Sequence, residues 1–158
     1  MIALKPLGRA GFTLVELLIT IAILAVLAAI GVPSYSRYVD RARVAQATGD
    51  IRRLEVLIAQ FQSDNQRLPA SLAEIGKAAM LDPWRNPYQY LDLSSLSVDK
   101  KLMGQVRKDK NLVPINSDYD LYSMGKDGQS QPPMTAANSR DDVVRASNGR
   151  YVGLASDY

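Results

Sequence analysis

The sequence contains neither cysteine nor histidine. Without cysteine no disulfide can hold a loop, and thiol nucleophiles are excluded. Without histidine the chain lacks the commonest general base and the commonest ligand for transition metals. Its carboxylates are scattered and form no evident acid and base pair at a cleft, so the sequence predicts a protein that is not an enzyme.

The chain also has a small net charge. The formal net charge is +3, and Lys5 and Arg9 lie in a leader without acidic residues, so removal of that leader leaves +1. Residues 94–111 hold a basic cluster that Asp99 and Asp109 dilute and that lacks interleaved aromatic residues for base stacking. We expect no nucleic-acid partner and interpret 94–111 as a solvated insertion, with contact to an acidic partner as the alternative. The basic residues of the cluster are Lys100, Lys101, Arg107, Lys108 and Lys110.

One long apolar run dominates the amino terminus. Between Phe12 and Val32 the only charged residue is Glu16, and the run has about the 20 residues that a helix needs to cross a hydrocarbon core of roughly 30 Å. It is longer than the apolar core of an ordinary secretory signal, although Leu27-Ala28-Ala29 leaves ordinary signal cleavage as an alternative. We predict one membrane-spanning helix. Cations on both sides of the run leave its orientation open.

Glu16 is an ionisable residue inside this predicted span. Such a residue costs several kcal/mol by insertion scales and by default marks a functional site. One interpretation is that its carboxylate reaches the membrane interface from the first helical turn, where the helix dipole favours an anion. The other is that cleavage after Gly11 makes Phe12 the new amino terminus and that Glu16 neutralises its ammonium group inside an assembly.

The segment GFTLVELL, residues 11–18, resembles the class III signal of type IV pilins and type II secretion pseudopilins. The resemblance implies that a prepilin peptidase cleaves between Gly11 and Phe12 and methylates the new Phe12 amine, and that Glu16 acts in assembly. It also implies a helical homopolymer with other minor pseudopilins or pilins and an inner-membrane assembly platform as partners. The expected location is the bacterial inner membrane, crossed once, with the carboxyl-terminal domain in the periplasm.

Beyond the apolar run, apolar residues recur at spacings of three and four, which is typical of an amphipathic helix. We predict a helix from Phe12 to about Ser63, bent at Pro33, with a length of roughly 80 Å at 1.5 Å per residue. Its charged face is interpreted as solvated or intersubunit. The apolar stripe consists of Val44, Ala47, Ile51, Leu54, Ile58 and Phe61, and the charged face includes Arg41, Arg43, Asp50, Arg52, Arg53 and Glu55.

Short elements are predicted after the helix. Ser71 and Glu74 form a capping-box pattern for a short helix that ends at Gly76. Alternating residues predict strands around Tyr88, around Tyr119 and in the last ten residues, separated by loops. We expect an α+β fold in which the long helix packs on a small antiparallel sheet. The expected organisation is a leader at 1–11, a membrane and assembly segment at 12–32 and a pilin-like globular domain at 33–158.

Two further segments resemble elements of major pseudopilins. The first signature is DPWRNPYQY, residues 82–90, in which Trp84 is expected to pack in the core and Arg85 stands where the family has glycine. The second signature is DLYSMGKDG, residues 120–128. Because many type IV pilins close their terminal loop with a disulfide, the two signatures and the absence of cysteine favour a pseudopilin. The insertion and an altered carboxyl-terminal loop favour a divergent member or a minor pilin.

Aspartates follow the second signature and offer the hard oxygen ligands that calcium takes. From the residues alone this signal is weak, because aspartate in turns is more often a local hydrogen-bonding residue. The resemblance implies Ca²⁺ as a cofactor, bound by Asp127 and the carbonyl of Met124, with Asp141 and Asp142 as later ligands. The family's glycine-rich stretch between these aspartates is replaced by QSQPPMTAANSR.

Overall fold

A computed structural model describes residues 11–94, 104–110 and 112–158. The leader up to residue 10 and much of the predicted insertion, including Lys100 and Lys101, lie outside the described residues. The chain divides into two compact units, Met1–Asp40 and Arg41–Tyr158.

Helix α1 spans Leu14–Asn65, 52 residues, and confirms the long helix predicted from the apolar periodicity. Pro33 lies inside it and the residues on both sides are helical; the bend expected there stays a prediction. At the carboxyl end, the Asn65 side-chain amide donates to the carbonyl of Phe61 at 2.9 Å, and Gln66 adopts a left-handed φ of 56°. A left-handed residue just after the last turn is a common way to end a helix.

The first unit contains the apolar part of α1. Large apolar side chains between Leu14 and Val32 are all at least half exposed, and the most apolar window has a mean hydropathy of 2.7. By length and composition this helix can cross a membrane. Along this part of the helix the apolar surface is exposed.

The second unit contains an antiparallel sheet whose four strands lie side by side in chain order. The first, second and fourth strands confirm the predicted ones. The third, which contains two valines, falls in a stretch that we did not predict as a strand. It lies directly before a turn at Ser147, Asn148 and Gly149, which all have positive φ. The strands are β1 (Gln89–Asp92), β2 (Tyr119–Ser123), β3 (Val143–Ala146) and β4 (Tyr151–Leu154).

The core forms where the second half of α1 packs on this sheet. Four residues of the predicted apolar stripe are fully buried, and each buried isoleucine or leucine among them contributes about 1.5–3 kcal/mol. Trp84 packs against the same cluster, as expected. Together these contacts confirm the predicted packing of helix on sheet. The buried stripe consists of Ala47, Ile51, Leu54 and Ile58, and the sheet contributes Tyr119, Leu121 and Val143.

One prediction for the second unit is wrong, and another holds only in part. The segment after Ser71 forms turns and no helix. The Glu74 carboxylate binds the Ala70 amide at 2.9 Å and pairs with the Arg67 guanidinium. Gly76, with a φ of 69°, then turns the chain away. The charged face of α1 is also not fully solvated. Asp50 is buried, and its Oδ2 accepts a hydrogen bond from the Tyr88 hydroxyl at 3.2 Å.

Candidate assembly site and carboxyl-terminal loop

Gly11 and Phe12 precede α1 and are accessible. Phe12 is 84% exposed, and a Cβ built at Gly11 would meet no atom within 4 Å. The fold of the described chain thus gives no steric reason for glycine at this position. Cleavage between these two residues and methylation of Phe12 stay predictions, and they place the requirement for glycine in an enzyme that approaches the backbone.

Thr13 and Glu16 form a reciprocal capping box at the start of α1. The Glu16 amide donates to Thr13 Oγ1 at 3.2 Å, and the Thr13 amide donates to Glu16 Oε2 at 2.9 Å. The Thr13 hydroxyl also donates to Glu16 Oε2 at 2.8 Å. These bonds satisfy amides at the helix start that have no intrahelical partner. Sequence reasoning missed this role, although Thr-x-x-Glu before an apolar run is its known pattern.

The capping role bears on both interpretations of Glu16. A carboxylate at the third helical position lies where the helix dipole favours an anion. Both hydrogen bonds from Thr13 use Oε2, and a carboxylate can accept further bonds at its other oxygen. Capping of its own helix is therefore compatible with a second bond from Glu16 to an ammonium group, so the structure leaves the assembly role of Glu16 as a prediction.

The two signatures pack directly against each other. The Ser123 hydroxyl donates to Asp82 Oδ2, while Asp82 Oδ1 accepts bonds from the amides of Trp84 and Asn86 at 2.9 and 2.8 Å. The Asn86 side-chain amide then donates to the Gly125 carbonyl at 3.0 Å. The first signature is thus a turn organised by a buried carboxylate that also holds the end of β2.

Arg85 occupies the position in the first signature where the family has glycine. Its φ is 74°, in the left-handed region that side chains with a Cβ rarely adopt. The turn is nevertheless closed, because the Arg85 amide donates to the Asp82 carbonyl at 2.9 Å. The turn therefore closes with arginine at this position, at the cost of local strain at Arg85.

Asp127 and Asp141 are brought together at the turn that ends the second signature. Asp141 Oδ2 accepts hydrogen bonds from the amides of Lys126 and Asp127 at 2.7 and 3.1 Å. A Cβ at Gly125, where φ is 64°, would clash with the backbone carbonyl of Asp141. Asp127 Oδ1 accepts a bond from the Gln129 amide at 2.8 Å. Both carboxylates thus stabilise local backbone, which is the common role of aspartate in turns.

Asp142 is fully buried and faces a cation from the chain itself. The Arg107 guanidinium donates from Nη2 to Asp142 Oδ2 at 2.8 Å, and the Ser130 hydroxyl donates to the same oxygen at 2.6 Å. Burial raises the pKa of Asp142 to about 6, against the lowering effect of Ser130 and Arg107. The prediction that residues 94–111 are solvated is therefore wrong at Arg107, which is only 1% exposed. Its charge is paired inside the fold.

The residues proposed for calcium fit the ion poorly. Among the described residues, no group of three or more aspartate and glutamate side chains is arranged to hold a metal ion. A divalent ion on Asp142 would lie beside the Arg107 guanidinium and be repelled by it. Calcium binding by Asp127, the Met124 carbonyl, Asp141 and Asp142 stays a prediction that this geometry disfavours.

A second buried cation was also missed from sequence. Arg145 of β3 donates from Nε to Glu55 Oε1 of α1 at 2.8 Å and pairs with Asp118 at 2.7 Å. Its guanidinium carbon lies 4.0 Å from the centre of the Tyr119 ring. Although burial opposes ionisation, the hydrogen bonds from Arg145 hold the pKa of Asp118 below its usual value. The network joins the helix to the sheet.

Comparison with known proteins supports a filament subunit. Residues 7–32 match the prokaryotic N-terminal methylation motif, a range that includes Gly11, Phe12 and Glu16. The chain is 36% identical over 144 residues to a type IV major fimbrial protein FimA of Dichelobacter nodosus, covering 90% of this chain and 84% of the relative. No solved structure matches the chain significantly.

Relatives from secretion systems align over a similar share of the chain. The type II secretion system core protein G of Pseudomonas aeruginosa is 28% identical over 142 residues, covering 77% of this chain and 86% of the relative. The protein of the same name from Klebsiella pneumoniae is 29% identical over 147 residues, covering 89% and 96%. The relatives named here are fimbrial and secretion-system proteins, which agrees with a structural role. From the motif, the helix on its antiparallel sheet and these relatives, the chain belongs to the type IV pilin-like family and is a subunit of a pilus-like filament.

Proposed function

We propose that this chain is a pseudopilin of a type II secretion system, polymerised through its amino-terminal helix to drive protein export. The observation that carries the proposal is the packing of the two signatures, in which Asp82 of the first binds Ser123 of the second. Both segments resemble major pseudopilins, and their contact indicates that they act as one structural unit. The relatives named as secretion system core protein G support the same assignment.

Maturation is proposed to begin at the bacterial inner membrane, with the second unit in the periplasm. A prepilin peptidase cleaves between Gly11 and Phe12 and methylates the new amine. The exposure of Phe12 and the open surroundings of Gly11 give such an enzyme access to this bond. Replacement of Gly11 by valine should leave the precursor uncleaved in the membrane, whereas mass spectrometry of the wild-type protein should find Phe12 at its amino terminus.

Assembly is proposed to bury the exposed apolar part of α1 among copies of the chain and minor pseudopilins, on an inner-membrane assembly platform. There the Glu16 carboxylate of one copy pairs with the Phe12 ammonium of a neighbour. An unpaired charge in such surroundings is costly, so the pair favours correct register between subunits. The capping box fixes the start of the helix, and thereby the place of Glu16 along it.

A type IV pilin of a surface filament is the second candidate. It is favoured by the fimbrial relative, which at 36% has a higher identity than the two secretion-system relatives at 28% and 29%. A strain that lacks the gene separates the two functions when secreted proteins in the medium and surface filaments are both measured. Loss of secretion with normal filaments supports the pseudopilin, and loss of surface filaments with normal secretion supports the pilin.

A further inference from the structure

The guanidinium of Arg107 contacts three points of the carboxyl-terminal loop, residues 129–142. Besides its bond to Asp142 at the end of the loop, it donates from Nη1 to Ser130 Oγ at 2.6 Å and to the Gln131 carbonyl at 2.8 Å near its start. The side chains of Arg107 and Asp142 are 2% and 0% exposed. One cation therefore joins both ends of the loop from inside the fold.

Arg107 is itself held firmly to the sheet. Its amide donates to Asp120 Oδ2 of β2 at 2.7 Å, and its carbonyl accepts a bond from the Ile115 amide at 3.0 Å. Its guanidinium carbon lies 4.4 Å from the centre of the Tyr122 ring, a distance at which a cation is attracted to the ring face. The arginine thus reaches the loop from a backbone position fixed on β2.

The neighbouring residue extends this attachment along the loop. The Lys108 amide donates to the Pro132 carbonyl at 3.0 Å, and the Lys108 carbonyl accepts a bond from the Met134 amide at 2.9 Å. These bonds form a short parallel bridge between the segment that carries Arg107 and the loop. The loop is therefore held by backbone pairing as well as by the charge of Arg107.

We propose that Arg107 is an internal cation that fastens the carboxyl-terminal loop to the sheet, and that the fold of this loop requires no bound calcium. A guanidinium offers a fixed charge and several directed N–H donors. It contacts a carboxylate, a hydroxyl and a backbone carbonyl, which are oxygen groups that calcium also takes as ligands. Its place beside Asp142 disfavours a divalent ion there by repulsion.

Two buried atoms of this ion pair have no hydrogen-bond partner among the described residues. They are Arg107 Nε and Asp142 Oδ1, and both belong to the same ion pair. An arginine and a carboxylate commonly form two parallel N–H···O bonds, and these two atoms are the donor and acceptor left for a second bond. Asp142 Oδ1 is therefore an open acceptor, and the calcium comparison described next tests whether a cation takes it.

The proposal does not depend on whether the filament serves secretion or is a surface pilus. Its first test is the melting temperature of the full-length wild-type chain in detergent, with millimolar CaCl₂ and with EDTA. We expect the same melting temperature in both. A rise of several degrees with calcium in the wild-type chain would overturn the proposal, and this comparison needs no variant.

Variants of the pair provide the second test. Arg107→Met leaves Asp142 buried without its cation, so the melting temperature should fall by roughly 10 to 20 °C. Arg140→Met is the matched control, because Arg140 lies in the same loop but is exposed, and it should change little. If Arg107→Met melts like this control, the proposal is wrong.

The double variant Arg107→Met with Asp142→Leu removes both charges. Because an unpaired buried charge is more destabilising than the loss of a whole pair, the double variant should melt higher than Arg107→Met alone. Additive destabilisation by the two changes would show that the two side chains are not coupled and would contradict the proposal.

Discussion

The two units of the chain differ in which side chains they expose and which they bury. In the first unit, the large apolar residues between Leu14 and Val32 are at least half exposed, and in the second, Arg107, Arg145 and Asp142 are almost completely buried. Burial of apolar surface contributes about 25 cal/mol per Å², so the first unit gains its stability from a bilayer or from other subunits. The second unit has its own core, and the charged groups that it buries are hydrogen-bonded within it.

Glu16 is the one charged residue between Phe12 and Val32. It caps α1 and is proposed to pair with Phe12 of a neighbouring subunit, and substitutions can separate these roles. Glutamine can replace glutamate in a capping box but carries no charge. Glu16→Gln and Glu16→Ala should both be processed normally, and both should reduce filaments by roughly tenfold or more, measured by immunoblotting of sheared filaments. Normal filaments from Glu16→Gln alone would assign the effect to capping.

Removal of a buried charge from the second unit should give the largest loss of stability. Arg145→Met removes the cation shared by Glu55 and Asp118, of which Glu55 keeps its pair with Arg52. Loss of several charge-assisted hydrogen bonds should lower the free energy of unfolding by about 3–5 kcal/mol. The control is Arg53→Met, because the Arg53 side chain is 82% exposed and pairs with Asp50 at 3.6 Å. Because the Arg53 side chain is solvated and Asp50 keeps its bond from the Tyr88 hydroxyl, this change should cost about 0–1 kcal/mol. Equal losses in the two variants would contradict a structural role for the Arg145 network.

Helix α1 has both buried and exposed apolar residues in the second unit, and substitutions can compare them. Ile51 of α1 is fully buried, whereas Val56 is 67% exposed. Ile51→Ala should lower the free energy of unfolding by about 2–5 kcal/mol, and Val56→Ala should change it by about 0.5 kcal/mol or less. Urea denaturation followed by the fluorescence of Trp84, the single tryptophan, measures both. A large effect of Val56→Ala on the isolated chain would mean that this face is already covered.

The smallest expected effect is a gain in stability. Arg85 is exposed and has a φ of 74°, so Arg85→Gly should relieve strain of about 1 kcal/mol, reduced by the greater flexibility of glycine in the unfolded chain. Arg85→Ala keeps a Cβ and should bring no such gain. The midpoint of urea denaturation compares the three proteins. A gain from alanine equal to that from glycine would point to the arginine side chain instead of the backbone.

The sequence by itself determined the stem and most of the secondary structure. An apolar run of about 20 residues and spacings of three and four report directly which helix face avoids water, so α1 and its buried stripe could be predicted. Alternation did the same for three of the four strands. The motif from Gly11 to Glu16 also predicted the protein family. β3 was missed because its two valines are too short a run to distinguish from loop.

Only the tertiary structure decided which charges are buried and which partners they have. Arg107 was interpreted as solvated and Asp142 as a calcium ligand, yet the two form an ion pair across 35 positions of the sequence. Glu55 and Arg145 lie 90 positions apart. Periodicity records where apolar surface faces, but a charged residue has the same local pattern whether it is solvated or paired. Its partner is set by how the loops return to the sheet, which no local pattern encodes.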